Sequence, residues 1–138
     1  MSAPRKQRVD VHGWLILDKP VGMTSTYAVS AVRRLLHAKK AGHAGTLDPL
    51  ATGLLIICIG KETKNADSYQ SEEKEYTGTF AIGATTPCYD LEKPIDQWFP
   101  VQHITDEKIR EATQQFLGVT EQLPPIFSAR KVDGKRAY

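Results

Sequence analysis

Six consecutive apolar residues, Leu54-Leu55-Ile56-Ile57-Cys58-Ile59, constrain this chain more than any other feature. No polar position interrupts them, so the pattern is that of a strand covered on both faces rather than one with a solvent side. The run is too short for a membrane span. Gly60-Lys61-Glu62-Thr63 closes it and opens a polar helix towards Gln70. The segment that feeds the strand is Gly42-His43-Ala44-Gly45-Thr46-Leu47-Asp48-Pro49-Leu50-Ala51-Thr52-Gly53. Its three glycines permit positive φ and close backbone approach. Pro49 restricts the backbone of Asp48 to extended conformations. Asp48 is therefore an acid on a stiff loop beside a buried element, a common mounting for functional groups. On composition alone such a cluster is more often a turn and nothing more.

The flanking patterns switch between periods of two and 3.6 residues. Trp14-Leu15-Ile16-Leu17 predicts a short buried strand and Asp18-Lys19-Pro20-Val21-Gly22 a turn. Thr24 or Ser25 caps a helix that places Ala28, Val29, Val32, Leu35 and Leu36 on one face. Tyr76 to Ile82 alternates like a half-exposed strand, and Asp90 to His103 reads as a loop or irregular strand pair. Thr105 caps a second helix reaching about Leu117, with Ile104 and Ile109 as a hydrophobic staple and Gly118 at its end. The expected class is α+β, a mixed, largely antiparallel sheet with flanking helices.

At 138 residues, 41% hydrophobic and 25% charged, the chain has the size and composition of one globular domain. Residues 11–138 are read as that domain and residues 1–10 as a loose basic tail. Cys58 and Cys88 form no CxxC pair, which fits a reduced, cytoplasmic setting without a disulfide framework. The net charge of +2 conceals segregation. Up to Gly45 there are eight bases against two acids, and from Arg130 to Tyr138 four bases against one. Such clusters can draw a polyanion to one face, or be ordinary solvated surface.

The twelve residues Gly42 to Gly53, in order, resemble the signature of the TruB-type pseudouridine synthases, the bacterial family that modifies uridine 55 in the T-loop of tRNA. Leu17 to Ser25 is similar to the family's first motif. Lys74-Glu75-Tyr76 with Ile82 to Asp90 is similar to another, although Ile82, Cys88 and Glu92 depart from its usual residues. Leu123 to Tyr138 resembles the segment leading into an RNA-clamping loop. The likeness covers Trp14 to Tyr138 and only the front part of the family's catalytic domain. It implies a pseudouridine synthase-like fold, incomplete in this chain, and weak activity for these residues alone.

The resemblance further implies an isomerase that needs no cofactor and no metal, with the T-arm stem-loop of tRNA as partner, no membrane, and a monomeric state. It assigns catalysis to Asp48 and stacking on the everted base to Tyr76. His43, Gly45 and Thr46 fall beside the base, and Lys19, Arg130 and Lys131 on phosphates or the RNA loop. Two other classes fit the residues less well. A noncatalytic RNA-binding module or chaperone would use the same basic faces without Asp48. A metal hydrolase would use His43 with Asp48, but their spacing matches no common metal motif.

Overall fold

A computed structural model describes residues 7–122, 131–132 and 135–136. The chain divides into two compact units, Met1–Tyr76 and Thr77–Tyr138.

The first unit is built on a three-stranded antiparallel sheet of β1 (Gly13–Lys19), β2 (Ala41–Ala44) and β3 (Gly53–Ile59), in the order β1-β3-β2. The apolar run thus occupies the centre, where both edges of its backbone are paired. Register sets Leu15 opposite Ile57 and Leu17 opposite Leu55 on one face. Helix α1 (Ser25–Leu35) covers that face, giving a core of Ala28, Ala38, Leu55, Ile57 and Ile59, with Val29, Val32, Leu47 and Met23 packed around it. Thr24 is the cap, its hydroxyl accepting from Tyr27 N at 3.1 Å.

Burial on both faces of β3 holds only in part. Leu55, Ile57, Cys58 and Ile59 are buried, but Leu54 is 61% exposed. On its face Trp14 and Ile16 of β1 are also more than half exposed. The helix covers one side of the sheet. Among the described residues the other is covered only near Cys58, where a 3-10 turn (Gly60–Lys64) and helix α2 (Ala66–Gln70) lie against β2 and β3. Leu35 and Leu36, expected on the apolar helix face, are exposed, since α1 ends there and His37 turns the backbone to φ 50°. Val9 does not belong to a loose tail. Its N–H donates to His37 O at 2.7 Å and its carbonyl accepts from Lys39 N at 3.2 Å.

In the second unit the stretch Asp90 to His103, read as a loop or irregular strand pair, contributes one short strand, β5 (Gln97–Trp98), whose partner β4 (Ala84–Thr85) lies before that stretch. The ladder is extended by Phe99 N–H to Gly83 O at 2.8 Å and by the Thr85 hydroxyl to Asp96 Oδ1 at 2.7 Å. Helix α3 (Asp106–Thr113) starts at Thr105 and continues through a 3-10 turn to Phe116, and Gly118 follows at φ 78°. The half-exposed strand predicted from Tyr76 to Ile82 does not form. Alternating side chains make a strand only when its N–H and C=O groups meet a ladder, and among the described residues none pairs with this stretch. Two further pairs of residues, β6 (Lys131–Val132) and β7 (Lys135–Arg136), form an antiparallel ladder. The ladders between named strands are all antiparallel, in keeping with the expected α+β class.

Candidate functional site

The Gly42–Gly53 segment is less of a loop than its glycines suggest. Its first residues are β2, with His43 opposite Ile57 and Ala44 opposite Ile56. The chain leaves the sheet at Gly45, whose φ of 89° is one that a side chain resists, and re-enters β3 at Gly53, φ 116°. Both ends of the loop are therefore held by the same sheet, and Asp48 lies midway.

Five hydrogen bonds fix the backbone between those ends. His43 Nδ1 lies 2.5 Å from Gly45 O. A carbonyl can only accept, so Nδ1 carries the proton and Nε2 is the acceptor of the neutral ring. The Ser25 hydroxyl bonds Leu47 twice, donating to its carbonyl at 2.9 Å and accepting from its N–H at 3.0 Å. The Gly22 N–H donates to Pro49 O at 2.7 Å. Ala51 N–H closes a turn on Asp48 O at 3.1 Å. Leu47 also packs its side chain onto the core. Asp48 is thus bracketed by two anchored neighbours while its own side chain is exposed. Among the described residues of this unit, no hydrogen bond or ion pair engages its carboxylate.

Lys19 calls for a correction. Expected on a phosphate, it is 0% exposed, and its ε-amino group donates to Pro20 O at 3.0 Å and Met23 O at 2.7 Å. A buried amine satisfied by two carbonyls does not reach a surface ligand. It instead fixes the turn that carries Gly22 and leads to Ser25. Beside that turn an open depression of about 370 Å³ is lined by Pro20, Val21, Gly22, Met23, Thr24 and Tyr27.

Thr46 is exposed next to Gly45 in the same loop. Tyr76 ends the first unit and is 73% exposed, outside any regular element. Arg130 lies outside the described residues, as does the side chain of Lys131, whose backbone pairs with Arg136. The structure therefore places Gly45, Thr46 and Asp48 on one loop and His43 on the strand that leads into it. It adds Ser25 and Gly22, which sequence reasoning missed. The one signal for Ser25 was two cap-forming residues in succession. A helix uses one cap, and Thr24 supplies it. Among the described residues no three His, Cys, Asp or Glu side chains converge to hold a metal ion.

Fold and site together define a class: an α+β protein that displays a single carboxylate on a loop clamped from both sides. Comparison with known proteins makes the class specific. The sequence model described as TruB family pseudouridylate synthase (N terminal domain) matches residues 33–138. The chain belongs to the TruB family of pseudouridylate synthases. It is similar to the tRNA pseudouridine synthase B of Flavobacterium johnsoniae, 56% identical in a match that covers 90% of this chain and 57% of that protein. It is 55% identical to the protein of the same name from Phocaeicola vulgatus, over 90% of this chain and 55% of that one. The chain thus spans little more than half the length of the curated relatives it matches. Among solved structures it resembles a chain in the crystal structure of a Cbf5-Nop10-Gar1 complex, with a TM-score of 0.56 and 27% identity, over 86% of this chain and 31% of that one.

Proposed function

We propose that these residues are the N-terminal part of a tRNA pseudouridine synthase that converts uridine 55 of the T-loop to pseudouridine. The observation that carries the reading is the placement of Asp48, exposed at the surface while Leu47 and Pro49 on either side are tethered to the helix α1 segment. Family membership supplies the reaction class, and the names of the bacterial relatives supply the RNA.

The reaction breaks the bond between ribose C1′ and uracil N1, turns the base, and joins C1′ to C5. The C5 proton is lost and N1 gains one, so no electrons are exchanged. A carboxylate assists such glycosidic cleavage as a nucleophile or base, and Asp48 is the group in place to do so. A rigid loop lets it act without reorganising the backbone. The target base lies in a folded RNA loop and has to be everted. Tyr76, with its ring in solvent, supplies a stacking face, and His43 presents Nε2 near the carboxylate loop. Arg130 and Lys131 hold phosphates, Gly45 and Thr46 shape the loop surface the RNA meets, and residues 11–138 form the front of the catalytic domain, a monomeric cytoplasmic enzyme when complete.

The substrate is tested with the full-length protein and tRNA transcripts labelled with tritium at uridine C5. Release of one tritium per tRNA is expected with uridine at position 55, and none when cytidine replaces it. Equal release from both transcripts overturns the assignment of the site.

A further inference from the structure

We infer that Ser25 is a positioning residue for Asp48, a role that rests on Asp48 being the reacting carboxylate. The geometry is specific. Ser25 is the first residue of α1 and 3% exposed, and its hydroxyl reaches 22 positions along the chain to satisfy both the N–H and the C=O of Leu47. Thr24 caps the helix, so the serine is free for this contact. A single hydroxyl that donates to and accepts from one peptide residue fixes both its distance and its orientation. Because Leu47 is bonded directly to Asp48, that orientation is passed on to the carboxylate. On the other side Gly22, in the turn that Lys19 holds, fixes Pro49. The strand-turn-helix segment from Lys19 to Ser25 is therefore the jig against which the carboxylate loop is set.

The mechanical consequence is separable from binding. Ser25 is buried and offers RNA no contact, so its loss moves Asp48 without removing a substrate interaction. A displacement on the order of 1 Å costs up to about a hundredfold in rate. In the full-length enzyme, Ser25→Ala is expected to lower kcat roughly tenfold to a hundredfold with KM within about twofold of wild type. Amide exchange at Leu47 should accelerate in parallel, and Ser25→Thr, which keeps the hydroxyl, should restore most of kcat. An unchanged kcat, or a KM effect with kcat intact, overturns the inference. Should the alanine variant fail to fold, Leu47 amide exchange in the wild type decides. Strong protection supports the clamp, and exchange at the rate of an open loop refutes it. If the wild-type enzyme forms no pseudouridine, the functional reading fails, while Leu47 protection still reports on the clamp.

Discussion

Two thiols separate cleanly at the scale of single residues. Cys58 is fully buried in β3, and desolvation, with the nearby Glu62 carboxylate adding to it, raises its pKa above the ordinary value of 9.0. Cys88 is partly exposed and free, its thiol donating to Asp90 Oδ1 at 2.8 Å. Iodoacetamide at pH 8.5 is therefore expected to modify Cys88 well before Cys58 in the native protein, with equal rates only after unfolding. Equal rates in the native state would contradict the burial. The same raised pKa sets a direction for stability. The neutral thiol's contribution is complete below about 9, and it is lost as pH rises through the higher folded value, because the unfolded chain gives up its proton first. Lys19 makes a parallel point about reading sequence. A lysine beside proline and glycine looks like a surface cation, and nothing local reveals that two backbone carbonyls have turned inward to receive it.

Glycines carry the geometry at the scale of elements. Gly60 follows β3 at φ 61°, and a Cβ there would overlap His12 Nδ1 and the Val11 carbonyl. Its N–H also bonds Lys40 O at 2.9 Å, and the next N–H, of Lys61, bonds His12 Nδ1 at 2.9 Å. Gly60→Ala combines a left-handed backbone cost of about 1–2 kcal/mol with overpacking of about 1–3 kcal/mol. Denaturant unfolding should show a loss of about 3 kcal/mol, and a loss below about 1 kcal/mol would refute the close approach. Much at this scale was legible from sequence. The apolar run gave the central strand, the 3.6-residue period gave α1, and Thr105 with Gly118 bounded the second helical segment. Two errors share one cause. Tyr76 to Ile82 has strand alternation without a ladder, and β2 has a ladder without strand composition, since its Ala-Gly-His-Ala sequence is held by β3 rather than by its own preferences. Pairing is a tertiary property that local pattern does not encode.

At the largest scale the first unit is a sheet with α1 on one face, and the Asp48 loop leads into its central strand. Trp14, Ile16 and Leu54 lie exposed on the opposite face, and the matched part of this chain covers 57% and 55% of the two bacterial relatives named above. The candidate site was readable as a string of residues but not as a device. The motif located Asp48, while the tethers from Ser25 and Gly22 cross more than twenty positions and exist only once α1 packs on the sheet. The central claim is that this one carboxylate performs the isomerisation and that the remaining residues hold RNA and loop in place. The most direct test measures turnover and tRNA affinity side by side for the full-length protein and its Asp48→Asn variant. Pseudouridine formation should fall by about a hundredfold or more while affinity for tRNA stays within a few fold. Turnover by Asp48→Asn at the wild-type rate would contradict the account.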